Sequence, residues 1–467
     1  MDSDARKSVC GKPKFQLSAM QTEPTTTLAS QFNRRLPIIL VLIVFAATLS
    51  RLVAVVNRYS VNMIFWDQWD FYTPLFNRAP LWRIFTWEHA PIREGLGLVL
   101  DKFVLDATRW NTRAEALFMV AVLFLATIAA LALKQKLYGR WSYSDVVIPC
   151  LILTFAQVEI LIGEENPSYS VFPELLIILY CLAWTISKPI LRYGSVVILN
   201  FLLIYTGFGF FMGPVTIGIL ILDLRREFRT STSLRLPTAA LVVALASQAS
   251  FFYHYQWSTE ISCPLFRAPI WQYPWFMALM MSYFFGLRVV VVASILGSAI
   301  ALTAVLILAW HFLRLWRERQ WSPIDLTIVI LLAYTLFFQA NSALGRVCLG
   351  MPFAAQFSRY MGLLVPAFLA IYLHVLTWRR KRTQAAALIL LLLALIPSTL
   401  QIPAGYSPQA VHDGKAAWQA CILQVGQIDY CDRATNFPVY PFARKTNLLE
   451  KLQFLQENRL NLYSGDR

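Results

Sequence analysis

Apolar runs long enough to cross a bilayer recur along nearly the whole chain, separated by short basic clusters. A crossing helix takes about 17–25 mainly apolar residues, and within hydrocarbon every backbone polar group must be paired inside the protein. Runs that meet this requirement lie near 36–57, 116–133, 145–162, 171–188, 190–206, 207–222, 236–253, 290–312, 323–341, 359–377 and 384–402. They predict an all-α polytopic membrane protein with about 11 transmembrane helices. Within 190–222, "YTGFGFFMGP" reads either as a tight hairpin outside the membrane or as a break in one long, bent element. The stretch "IWQYPWFMALMMSYFFGL" (270–287) is also apolar, but a crossing there would invert everything downstream. We read it as an interfacial or re-entrant helix on the outer side.

Charge sets the orientation. The net charge of +15 would suggest nucleic acid as a partner in a soluble chain. Only 14% of residues are charged, however, and the basic ones cluster in short loops such as "KQKLYGR", "LRREFR" and "WRRKR". Lys and Arg mark cytoplasmic loops, so nucleic acid drops out and membrane lipids take its place. The polar segment 1–35 reads as a disordered cytoplasmic tail without a cleavable signal peptide. Residues 36–402 read as the transmembrane core, with a long outer loop at 58–115 carrying amphipathic helices. Residues 403–467 read as an outer tail, periplasmic if the membrane is a bacterial inner (plasma) membrane.

Just after the first run comes "NMIFWDQWDFYTPLF". Asp67 and Asp70 are three apart, so on a helix they share a face. Trp66, Trp69, Phe71 and Tyr72 would hold that face at the headgroup level. A carboxylate in such a half-dry place can take a proton from a bound hydroxyl. An aromatic belt with two solvated acids would look similar, but other polar clusters on the same side favour a site.

Those clusters are few. "WEHAPIREGLGLVLDKF" sets His89 and Arg93 four apart, suited to neutralising a phosphate, or to an amphipathic helix whose Arg snorkels to lipid. "EILIGEENPSYSVFPE" holds Glu159 and Glu174 inside apolar runs, where a carboxylate usually faces a cavity. Of Glu164 and Glu165 in the intervening turn, one reads as solvated and the other as facing a sugar or a metal. Arg346 and Arg359 stand at the outer ends of consecutive runs, against the positive-inside bias; a lipid-linked phosphate would explain them, as would snorkelling to lipid headgroups. The seven cysteines form no CxxC or Cys/His cluster, so no metal site is predicted. Cys421 and Cys431, ten apart on the outer side, are expected to form a disulfide.

This plan resembles the GT-C superfamily of polytopic glycosyltransferases, which use polyprenyl-phosphate sugars. The shared features are a cytoplasmic N-terminus, a first span and an acidic motif opening a long first outer loop, here "FWDQWDF". The "SRY" at 358–360 and the closing "KLQFLQENRLNLY" look like uncharacterised bacterial proteins of that kind. The resemblance implies a catalytic base at Asp67 with Asp70 assisting. It implies donor-phosphate binding by His89, Arg93, Arg346 and Arg359, with Tyr360 facing substrate. The family's paired acids are absent here, since Gln68 follows Asp67, and this leaves open which aspartate is the base. The acceptor would be a glycan or a lipid, no cofactor is firmly implied, and a divalent cation remains possible. One carboxylate opposite a cationic cluster implies inversion at the anomeric carbon. The competing classes are a polymerase or ligase of lipid-linked glycans, and a transporter with charges at the midplane.

Overall fold

The structure is a computed structural model. It describes residues 28–465 apart from 90–91, 164–165, 231–232, 257–262, 264–267, 319, 404–405 and 441–446. Helix α1 (Leu28–Tyr59) starts inside the segment read as a tail, and its membrane-length window begins at Arg35. Once nucleated, a helix extends past the bilayer edge at little cost.

The first long loop follows. It holds the short helices α2 (Gln68–Phe71), α3 (Thr73–Phe76) and α4 (Leu81–Phe85). Next come two antiparallel strands, β1 (Glu88–His89) and β2 (Ile92–Arg93), and then helix α5 (Gly95–Ala107). His89 and Arg93 thus lie on a small hairpin and not on a helix. The sequence gives a reason, because Pro91 disfavours helical backbone at the residue before it.

Helix α6 (Thr112–Tyr138) returns through the bundle. The Asn111 side chain accepts from the Arg113 N–H at its start, and Gly139 at φ 67° ends it in the left-handed region. The run at 145–162 is not one helix. It divides into α7 (Val147–Ile152), a 3₁₀ turn at Phe155–Gln157 and α8 (Glu159–Ile162). Such irregular backbone is tolerated at membrane depth only when protein buries it. Here the Ser358 hydroxyl donates to Ala156 O at 2.6 Å, and the Gln157 amide donates to Ile152 O at 2.9 Å.

Helices α9 (Val171–Trp184) and α10 (Pro189–Ile204) come next, then α11 (Met212–Arg229) and α12 (Arg235–Phe251). Helices α10 and α11 pack side by side across a turn with Gly207 at φ 63°, so "YTGFGFFMGP" is a hairpin. Helix α13 (Gln272–Tyr283) has 12 residues, about 18 Å, too short to cross. It packs on α14 (Val290–Arg317) and α15 (Pro323–Arg346). A 3₁₀ stretch at Ser358–Leu364 leads into α16 (Val365–Leu376), and α17 (Lys381–Leu400) closes the bundle.

Seven helical stretches among the described residues are long and apolar enough to cross a membrane: 35–59, 112–138, 207–229, 290–317, 323–349, 358–376 and 381–400. Three shorter apolar ones cover 143–157, 171–184 and 189–204. The most apolar windows of α1, α14 and α17 are only 17%, 22% and 22% buried. A soluble protein does not expose apolar surface on that scale, so the protein is embedded in a membrane.

The tail holds α18 (Pro408–Val425), α19 (Ile428–Thr435) and α20 (Leu448–Glu457). It does not stand apart as a separate segment. Trp418, Val439, Leu448, Leu452 and Leu455 share one core with Trp69, Tyr72, Phe76, Ile84 and Trp110 of the first loop. Neither piece has enough apolar sequence to build a core alone. Buried Asn461 joins them, its amide donating to Asn62 Oδ1 at 2.9 Å and to Trp110 O at 2.8 Å. Cys421 and Cys431 are bonded within this body, with Cα atoms 5.6 Å apart. A second disulfide, not anticipated, ties Cys263 to Cys348.

Candidate functional site at one end of the bundle

Two unwound segments make the site. The 3₁₀ turn at Phe155–Gln157 with α8 packs against the 3₁₀ stretch at Ser358–Leu364. A Cβ on Gly362 would lie 2.7 Å from Ser170 Cβ as well as against the Gln157 amide, so glycine suits this close approach. The contact sets Glu159 beside Arg359: Glu159 Oε2 accepts from the Arg359 backbone N–H at 3.1 Å, and Oε1 lies 3.8 Å from its Nε. From the first loop, Asp67 Oδ2 reaches Arg359 Nη1 at 3.4 Å. One guanidinium therefore stands between two carboxylates, with Asp67 the more open at 33% exposure against 13% for Glu159.

The backbone that presents Asp67 is held from the tail. Trp66 sits at φ 53°, a sparsely populated region for a bulky residue, and its N–H donates to Val439 O at 3.0 Å. Asp70 turns the other way. It accepts from the Tyr440 hydroxyl at 2.5 Å and lies 3.8 Å from Lys451 Nζ. The two aspartates thus serve different neighbours despite their helical spacing.

Arg346 stacks over the Tyr360 ring at 4.7 Å and makes no hydrogen bond or ion pair among the described residues. Arg359 lies 5.8 Å from the same ring. Tyr360 is buried at 1% exposure, and its ring is the platform on which the two arginines rest.

The Arg93 guanidinium donates to the carbonyls of Thr86 at 2.5 Å, Tyr253 at 2.6 Å and Phe251 at 2.8 Å, and it lies 3.9 Å from Glu88. These bonds staple the hairpin to Thr86 and to the end of α12, and they occupy every nitrogen of the guanidinium with a backbone carbonyl. Glu164 and Glu165 lie outside the described residues.

His89 remains at the site. Its Nδ1 lies 3.4 Å from Glu94 Oε2, and Glu94 also accepts from the Asn166 amide at 3.0 Å. Burial alone would depress the imidazole pKa. The hydrogen bond to Glu94 and its charge, with Asp67 and Asp70 beyond, outweigh this and raise it to about 9. Because the folded value lies above the ordinary 6.5, the stabilisation is complete below pH 6.5 and is lost as pH rises through about 9. Melting curves in detergent should therefore fall across that window, by about 3 kcal/mol at most. The His89→Gln variant should show a flatter profile. Equal falls in both proteins would mean that His89 does not carry the effect.

Beside this site, Asp70, Trp87, His89 and Phe454 border a cleft of about 540 Å³ between the first loop and α20. Sequence reasoning missed this wall of the site, because nothing in the tail marks its docking partner. Glu159 was detectable as a carboxylate inside an apolar run, though its partner was not. Among the described residues, no three His, Cys, Asp or Glu side chains are grouped as metal ligands.

Fold and site together define an all-α membrane-embedded protein with a mixed-charge site at one end of its bundle. Compared with protein-family models, with curated proteins and with solved structures, the chain matches none. Geometry alone therefore carries the functional reading.

Proposed function

We propose that this is an inverting membrane glycosyltransferase. It moves a sugar from a polyprenyl-phosphate donor to a glycan or lipid acceptor at the outer face of a bacterial inner membrane. The observation that carries this is a carboxylate held on an arginine, Asp67 on Arg359, with a second arginine, Arg346, on the same Tyr360 ring and without an ion-pair partner among the described residues. In the resting site Arg359 pairs with Asp67 and orients it. A donor phosphate entering from the membrane takes Arg359 and Arg346 and frees the Asp67 carboxylate. Asp67 then accepts the proton of the acceptor hydroxyl as its oxygen bonds to the anomeric carbon. The bond from that carbon to the phosphate oxygen breaks on the opposite face, its electron pair leaving with the phosphate. Protonated His89 adds positive charge nearby. Asp70, already engaged by Tyr440 and Lys451, is the weaker candidate for the base. No step in this reading calls on a divalent cation.

This reading keeps eleven crossings, adding the three short apolar helical segments and α12 to the seven long ones. The N-terminus is then cytoplasmic and the tail periplasmic. The disulfides support the orientation, since Cys263, Cys348, Cys421 and Cys431 all fall in segments assigned to that oxidising side. The free cysteines Cys150 and Cys181 are buried in the bundle.

The test is incubation of purified protein with a panel of polyprenyl-phosphate sugars and lipid or glycan acceptors, following release of polyprenyl phosphate. Release that depends on acceptor, with inversion in the product, supports the reading. No release from any donor in the panel removes it.

A further inference from the structure

We infer that the cleft between the first loop and α20 is a saccharide-binding site for neutral or amino sugars, and that it receives the acceptor glycan. The acceptor role rests on the transferase reading; the binding does not. At about 540 Å³ the cleft lies within the range of ligand pockets, about 300–1,000 Å³, and has room for a short saccharide. Its polar lining favours hydroxyl-rich ligands. Asp70, Glu88 and Glu450 offer acceptor oxygens, and Asn77 adds an amide that both donates and accepts. Trp87 and Phe454 supply flat apolar faces, as a sugar ring needs on its axial C–H side.

The charge balance narrows the class. Among the described residues the cleft's two cations are engaged by acids, His89 by Glu94 and Lys451 by Asp70, while Glu88 and Glu450 add negative charge at the walls. A uronate or phosphorylated glycan would meet repulsion there. A neutral saccharide would not, and an amino sugar would gain. The position also fits, because Asp70 lines the cleft and belongs to the same short helical turn that begins at Asp67. A saccharide seated there would end near the proposed base.

The experiment is saturation-transfer NMR on the full-length protein in nanodiscs. The probes are trisaccharides of glucose, N-acetylglucosamine, glucosamine and galacturonic acid. The expected result is signal from at least one neutral or amino-sugar trisaccharide and none from the uronate. Asn77→Trp and Glu450→Trp, exposed positions on opposite walls, should each fill the cleft and weaken binding about tenfold. Asp67→Asn should bind as the parent does. Melting curves verify that each tryptophan variant is folded, and two independent variants guard against one failing. The inference is overturned if no trisaccharide binds, if the uronate binds equally well, or if both folded tryptophan variants bind as the parent does. Binding without transfer from any donor would keep the cleft and remove the transferase reading. Transfer unaffected by either tryptophan variant would do the reverse for the acceptor role.

Discussion

Asp67→Asn should lower glycosyl transfer by about 10²–10⁴-fold while leaving the protein folded. The amide keeps the shape of the carboxylate and can still accept a hydrogen bond from Arg359, so the local structure has little reason to change. What is lost is the capacity to take a proton from the acceptor hydroxyl. The loss should fall on kcat, with donor binding almost unchanged, because the phosphate contacts belong to the arginines. Asp70→Asn is the paired measurement. Its carboxylate is bonded to Tyr440 and faces the cleft, so this variant should raise the acceptor KM more than it lowers kcat. If the two effects are exchanged, Asp70 is the base. If neither variant changes transfer, the chemistry lies elsewhere in the molecule.

Arg359→Gln should cost about 10²–10³-fold in kcat/KM, the range for removing one group that stabilises developing charge in a dry site. Two effects combine here. The leaving phosphate loses a cation, and Asp67 and Glu159 lose the group that keeps them apart in charge and fixed in place. Arg359→Lys should recover only part of the activity, since an ammonium cannot bridge two carboxylates and a phosphate as a planar fork can. The control is Arg93→Gln. Arg93 bonds three backbone carbonyls away from the proposed chemistry, so its loss should lower the melting temperature far more than it alters kcat in the protein that remains folded. Equal catalytic losses at Arg359 and Arg93 would mean that both act through stability, and the phosphate site would have to be sought elsewhere.

Much of the fold could be read in one dimension. Hydropathy marked all the segments that became bundle helices, because the cost of an unpaired backbone in hydrocarbon leaves a long apolar helix as almost the only option. Basic clusters marked one end of the bundle, and the Cys421–Cys431 bridge was legible because its loop is short. Asp67 stood out for a similar reason: an acid next to an apolar run is expensive and therefore conspicuous.

Tertiary structure decided the rest. Asp67 and Arg359 are 292 residues apart, and their meeting depends on two stretches that lose regular helix at the same end of the bundle. Hydropathy is blind to that loss, since a buried 3₁₀ turn and a buried α-helix need equally apolar side chains. Arg93 had the charge of a phosphate ligand, yet folding set a backbone carbonyl against each of its three nitrogens. The tail looked like a polar appendage because each half of the core it shares with the first loop is too small to register alone. The sequence by itself determined which segments are long and apolar enough to enter a membrane, since transfer from water to hydrocarbon acts on each segment separately. Which side chains meet at the site was left to packing, because contacts between distant segments depend on the whole arrangement and not on any local pattern.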